Sequence, residues 1–231
     1  ELKIMDFVVS KIKPTDEKFN IIDTSMYEIS QVLGMKRSGR TYSQLATNLN
    51  DLRKKDVFIY NDEERSVTMT GWFETAKVWE NGKVQIRINE DFAPYLLQLR
   101  GNYTQHLLVD TVQLNSRYSI LVYKLMREAD KDYSSKITIL SGTPEEFKEW
   151  LGAPESYTFN SLKTQVLQKA IDEINLKIED MDLELLTAKR GRKVVKVEIH
   201  NNFIHQKNNS SDNEDSELEP KVPLFNWLEK Q

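Results

Sequence analysis

The stretch 158-TFNSLKTQVLQKAIDEIN-175, followed by 189-KRGRK-193, decides how the rest of the chain is read. Written as a helix, it puts Phe159, Leu162, Val166, Ala170 and Ile174 on one stripe at steps of three and four. Leu167 and Ile171 widen that stripe enough to face a core. The opposite side carries Ser161, Thr164, Gln165, Gln168 and Asp172, short or amide side chains rather than the usual Glu/Lys carpet. Two alternating segments follow, Met181–Leu186 and Val194–Ile199, joined by Lys189-Arg190-Gly191-Arg192-Lys193. A helix with one apolar and one hydrogen-bonding side, then a cationic hairpin, is the pattern of a winged helix. Its helix would lie in a DNA major groove and its hairpin would hold backbone phosphates.

The net charge of −4 argues against a uniformly basic nucleic-acid binder. Residues 206–231, however, set three lysines against six carboxylates, a net of −3, which leaves −1 for the rest. Positive charge is concentrated. Lys36–Lys55 holds Lys36, Arg37, Arg40, Arg53, Lys54 and Lys55 against Asp51, and Lys189–His200 holds five cations against Glu198. Local patches are what phosphate contacts need. With 231 residues there is room for two small domains. Zero cysteines excludes disulfides and thiolate metal sites and fits a reducing cytoplasm. No apolar run reaches the roughly 18 residues of a membrane helix, and no signal-peptide pattern opens the chain.

Taken in order, Glu1–Ile12 reads as an amphipathic helix stopped by Pro14, and Phe19–Ile22 as a short strand. Ser25-Met26-Tyr27-Glu28 is a capping box, and its helix ends at Gly34. A turn leads to a helix from about Arg40 to Lys54, with Tyr42, Leu45, Leu49 and Leu52 inward. Val57–Tyr60 and Ser66–Thr70 form a hairpin across Asn61–Arg65. Trp72–Trp79 and Val84–Ile88 form a second one at Asn81-Gly82, with an edge suited to pairing two copies. Phe92–Leu99 is a short helix and Asn102–Leu114 an extended connector. Arg117–Ala129 is then a helix, Lys136–Leu140 a strand, and Thr143-Pro144-Glu145-Glu146 a second capping box whose helix ends at Gly152. Helix, strand, capped helix, long helix and hairpin thus occur twice, starting near 1, 21, 25, 41 and 57 and again near 117, 137, 144, 160 and 180. The expectation is an α+β chain of two tandem winged-helix domains related by pseudo-duplication, residues 1–113 and 114–204. An acidic, flexible tail over 205–231 closes it and carries a short apolar motif around Leu224-Phe225.

Several stretches carry a family resemblance: "VLQKAIDEIN" (166–175) with "GRKVVKVEI" (191–199), "KIKPTDEKF" (11–19), "PYLLQLRGNYT" (94–104) and "LNSRYSILVYKLM" (114–126). In this order they resemble the replication initiators of iteron-bearing plasmids, the RepA, RepB and RepE type, over most of residues 1–204. The resemblance implies a bacterial protein that binds direct repeats at a plasmid origin as a monomer through both winged helices. It also implies dimers that repress their own promoter at an inverted repeat, and recruitment of host initiator and helicase. Relatives often carry arginines early in the second reading helix, where this chain has Lys163, Thr164 and Gln165.

The candidate DNA contacts are Lys36, Arg37, Arg40, Ser43, Gln44 and Thr47 in the first domain. In the second they are Thr158, Ser161, Lys163, Thr164, Gln165 and Gln168 on the helix, and Lys189, Arg190, Arg192 and Lys193 on the hairpin. Gln suits adenine and Ser/Thr suit several base edges. Lys163 projects toward the apolar side, so it would reach phosphate only by extending its ammonium outward. The plain alternatives are a solvated helix face, a soluble turn, and, for Arg53, Lys54 and Lys55, cations that favour a helix C-terminus. Catalysis finds no constellation. His106, His200 and His205 lack metal-ligand spacing and there is no GxxxxGK[ST], so neither cofactor nor metal is expected. Asp180 and Asp182 read as a solvated turn rather than a nuclease pair. The expected partners are double-stranded DNA, a second copy, and a host initiator, helicase or sliding clamp engaged by the tail. The competing readings are a repressor without an initiator role and a protein-binding adaptor.

Overall fold

A computed structural model of the chain describes residues 1–12, 21–61, 65–91, 105–130 and 137–203. The stop at Pro14, the strand start at Phe19, the helix at Phe92–Leu99, the strand start at Lys136 and the whole tail lie outside the described residues.

In the first half, α1 (Leu2–Ser10), β1 (Ile21–Ser25), α2 (Met26–Val32) and α3 (Gly39–Arg53) lead to two hairpins, β2 (Asp56–Asn61) with β3 (Ser66–Gly71) and β4 (Phe73–Val78) with β5 (Lys83–Ile88). The second half runs α4 (Gln105–Gln113), α5 (Arg117–Ala129), β6 (Thr138–Gly142) and α6 (Pro144–Leu151). A long rod, α7, follows, made of Phe159–Ser161, Leu162–Leu167 and Gln168–Lys177, and then β7 (Leu183–Arg190) and β8 (Lys193–Asn201). The two principal sheets share one plan. Their orders are β1-β5-β4 and β6-β8-β7, antiparallel throughout, with the last strand in the middle.

Alternation fills each core. In the first, Ile22, Val84, Ile86 and Ile88 point from the sheet onto Phe7 of α1, Ile29 of α2 and Leu45, Leu49 and Leu52 of α3, all buried. In the second, Val197 and Ile199 of β8 meet Tyr123 of α5, Phe147 of α6 and Leu162, Val166, Ala170 and Ile174 of α7. Burying one such side chain contributes about 1.5–3 kcal/mol, so these stripes, rather than helix propensity, fix where α3 and α7 sit.

Three expectations change. The connector over Asn102–Leu114 is helical from Gln105 to Gln113, because Leu108 and Val112 fall at helical spacing and pack toward the first core, while Leu114 enters the second. The repeat also pairs differently. The counterpart of β7–β8 is β4–β5, and β2–β3 is an added two-stranded ribbon that the first half has and the second lacks among the described residues. Strand β5 is therefore central, with both edges taken by β1 and β4, and Val84–Ile88 offers no edge to a second copy.

The third change concerns the caps. Thr143 forms a full capping box: its hydroxyl accepts from Glu146 N–H at 3.2 Å and its N–H donates to the Glu146 carboxylate at 2.7 Å. Ser25 forms only half of one. It accepts from Glu28 N–H at 3.0 Å, but the Glu28 carboxylate turns to Lys11 and Thr24. The bond to Lys11 is charge-assisted and so the stronger kind, and the carboxylate stays with it.

Candidate nucleic-acid interface

Helices α3 and α7 present comparable outer faces. Each begins at an extended hydroxyl residue that caps it: Ser38 accepts from Thr41 N–H at 3.1 Å, and Thr158 accepts from Ser161 N–H at 3.2 Å. Arg40, Ser43, Gln44 and Thr47 are exposed on α3, with Lys36 and Arg37 exposed on the turn before it. Arg37 rests 5.6 Å over the ring of Tyr27, which orients its guanidinium. On α7, Thr158, Lys163, Thr164, Gln165 and Gln168 are exposed and Ser161 is half-buried.

The side-chain bonds narrow what each face can read. Thr47 donates to the Ser43 carbonyl at 3.0 Å and Thr164 to the Asn160 carbonyl at 2.9 Å. Both hydroxyls thus keep lone pairs and a methyl for a ligand, and their protons are already used. Gln168 donates one amide proton to Asp172 at 2.9 Å, and Gln165 accepts from the Tyr157 hydroxyl at 3.4 Å. Tyr157 was not among the sequence candidates, and neither was Lys169, which is exposed four residues beyond Gln165. The i+4 step alone would have found Lys169.

Lys163 is corrected. It is exposed, because Leu162–Leu167 winds in the wider π form. Wider winding turns successive residues through a smaller angle, so 163, 164 and 165 share the open side between buried Leu162 and Val166. No extension around the helix is needed.

The hairpin projects. Strand β6 pairs with β8 only over Val197–Asn201, so Lys193–Lys196 is held by β7 alone. A register shift between Ala188 and Lys189 bends this overhang, as an extra residue in one strand does. Gly191, at φ 63°, closes the turn in a conformation that costs other residues about 1–2 kcal/mol. Lys189, Arg190, Arg192 and Lys193 are all exposed on this tip, and among the described residues no carboxylate pairs with them. In the first domain Lys55 pairs with Glu1, while Arg53 and Lys54 close α3, which favours the plain helix-terminus reading for that trio. Asp180 does lie in a turn, partly exposed, and Arg127 holds it there with two bonds of 2.7 and 2.6 Å.

Among the described residues no group of three or more His, Cys, Asp or Glu could hold a metal ion. Nor is any of their helices long and apolar enough to cross a membrane.

Comparison with known proteins agrees with this geometry. Residues 1–127 match the family model described as "Initiator Replication protein, WH1", and residues 143–201 that described as "Initiator Rep protein, WH2". The chain is similar to the PI protein of Escherichia coli, 27% identical over 172 residues, which is 67% of this chain and 54% of that protein. It thus spans about half the length of that curated relative. Among solved structures it resembles the Pi initiator protein in complex with iteron DNA, at a TM-score of 0.70 and 18% identity, covering 88% of this chain and 90% of the other. It also resembles domains 2 and 3 of RctB, at a TM-score of 0.52 and 10% identity, covering 87% and 80%. At such identities these structures speak for the fold.

Proposed function

The chain belongs to the initiator replication protein family, and from that premise we propose that it binds duplex DNA sequence-specifically at the direct repeats of a plasmid origin. Helices α3 and α7 each enter a major groove, and the β7–β8 tip grips phosphates between them. The observation that carries this reading is the repetition itself. One strand order built twice presents two hydroxyl-capped helices with open polar faces, and among the described residues the second half alone adds a cationic overhang. The relative crystallised on iteron DNA supports the choice of direct repeats. The protein acts by binding, opening a neighbouring AT-rich segment and bringing in host initiator and helicase, with the tail over 205–231 as the tether for such partners. The domain limits follow as 1–113 and 114–204.

Self-association is the second part of the proposal, and the β2–β3 ribbon favours it. Phe58 lies opposite Met69 and Tyr60 opposite Val67 on one face of the ribbon. These four are 52, 73, 72 and 48% exposed, a contiguous apolar patch of the kind that marks an interface. A dimer formed there would repress the promoter of its own gene at an inverted repeat.

The test is fluorescence anisotropy with duplexes from the replicon that encodes the chain. Binding to a direct repeat at least a hundredfold tighter than to a scrambled duplex is expected. Equal affinity for the two would remove base reading, and tight binding to an inverted repeat alone would favour the repressor.

A further inference from the structure

A buried polar seam joins the two winged helices. Lys124 of α5 reaches Asp6 of α1, whose side chain is only 1% exposed. The C-terminal end of α4 then lies between one lysine from each half. Lys3 Nζ donates to the Val112 carbonyl at 2.7 Å and Lys177 Nζ to the Gln113 carbonyl at 2.8 Å. The last carbonyls of a helix lack intrahelical partners and carry partial negative charge, so two ammonium groups there satisfy the helix end from both sides. Lys177 is held in turn by Glu173 at 2.7 Å, and Glu173 accepts from the N–H groups of Asn115 and Ser116 that open α5. One turn back along α4, Asp110 accepts from the Tyr123 hydroxyl at 2.5 Å and from Arg127 at 3.3 Å.

A buried ion pair is weak support for stability, because desolvation offsets its Coulombic gain; its better-attested use is to fix one arrangement among several. Apolar contact alone would let two such domains slide. Charged bonds with donors and acceptors at set places do not.

We infer that Asp6, Lys124, Lys3 and Lys177 are positioning residues that gauge the spacing of the DNA site. By holding α3 and α7 at one separation and phase, they make the chain accept only duplexes whose two read grooves are a set number of base pairs apart. This rests on the DNA-binding reading above. Each inserted base pair moves one groove by about 3.4 Å and turns it by about 34–36° relative to the other, and a clamped pair of helices cannot follow.

The zero cysteine content permits a DNA-free measurement. Asn50 on α3 and Leu176 on α7 are both exposed, so Asn50→Cys with Leu176→Cys accepts a nitroxide pair. Double electron–electron resonance should give one narrow distance distribution in the otherwise unaltered chain and a broad one with Asp6→Asn plus Lys124→Met. The unlabelled chain should lose at least tenfold affinity when one base pair is inserted between the two halves of its repeat, and the seam variant less than threefold. A distribution that stays narrow, or affinities for both duplexes that fall in parallel, would overturn the proposal. A parallel fall is what a merely structural role gives. If Asp6→Asn plus Lys124→Met fails to melt cooperatively, Lys3→Met plus Lys177→Met, at the half-buried rim of the seam, carries the same comparison. Failure of the unaltered chain to bind repeat DNA at all would strike the DNA reading alone, since the distance measurement needs no DNA.

Discussion

In the second winged helix, β7–β8 outruns β6 by Lys193–Lys196 and ends in four exposed cations around Gly191. In the first, β5 is paired with β1 from Lys83 onward, and the turn before it is tied down, with the Gly82 carbonyl accepting from Met26 N–H at 2.8 Å. The same strand order thus yields a projecting wing in one half and a docked hairpin in the other. The first half uses its extra ribbon, β2–β3, to expose Phe58, Tyr60, Val67 and Met69 instead. A duplicated module can therefore keep its reading helix and divide the remaining work. On the proposed reading, one copy's hairpin would serve phosphate and the other copy's ribbon would serve protein contact.

The largest expected effect breaks that contrast at its charged end. Replacing Lys189, Arg190, Arg192 and Lys193 by Ala should flatten the slope of log affinity against log salt by about 3.6, roughly 0.9 per phosphate contact. Replacing Lys77 and Lys83 on the docked hairpin should change it by less than about 0.9. Equal losses would mean that both hairpins touch DNA.

Next come the reading faces. Thr164→Ala with Gln165→Ala should weaken binding to the repeat by about ten- to a hundredfold, on the order of 1–3 kcal/mol, and leave a scrambled duplex nearly unaffected. Ser43→Ala with Gln44→Ala tests whether α3 reads bases as strongly. Parallel loss on repeat and scrambled duplexes would assign either face to phosphate.

How far this was legible in the sequence depends on whether the deciding contact is local. The stripe of α7, the cap at Thr143 and the cationic Gly turn are all set by residues within a few positions of one another, and the structure has them. Helix α4 is not legible in the sequence because Leu108 and Val112 acquire a meaning only against the first core, a partner supplied from far along the chain. The two hairpins of the first half look alike locally. Which of them sits beside β1 is a long-range pairing that alternation cannot encode. An ideal helical wheel turns Lys163 toward the apolar side because it has no place for the wide winding at Leu162–Leu167. In the half-formed box, Glu28 had a rival partner in Lys11, seventeen residues earlier.

A smaller effect separates the halves by pH. Burial acts to raise the Glu173 carboxyl, but bonds from Lys177, Ser119 and the N–H groups of Asn115 and Ser116 outweigh it and pull the group from 4.5 to about 2. Its folded pKa is the lower one, so its stabilising contribution is present above pH 4.5 and is lost as pH falls toward 2. Glu173→Gln should therefore flatten the decline of the thermal midpoint between those values. Burial likewise acts to raise Glu28 of the first half, and Lys11 and Thr24 bring it below its ordinary value, so Glu28→Gln should flatten the decline that begins below pH 4.5. If neither variant changes the profile, these bonds do not form in solution.

The smallest difference lies in the caps. Thr143→Ala should cost about 1 kcal/mol, and Ser25→Ala, which breaks only half a box, about 0.5 kcal/mol, read as midpoints of denaturant unfolding. The reverse order would show that Glu28 does close its box.

Footprinting of this chain on the repeat array of its own replicon, with dimethyl sulfate reporting guanine N7 in the major groove and hydroxyl radicals reporting the backbone, addresses the two-helix reading most directly. The expected result is a pair of protected major grooves on one face of each repeat, about one helical turn apart, with backbone protection between them that disappears when Lys189, Arg190, Arg192 and Lys193 are replaced. A single protected groove per repeat, or protection that does not depend on those four residues, would contradict it.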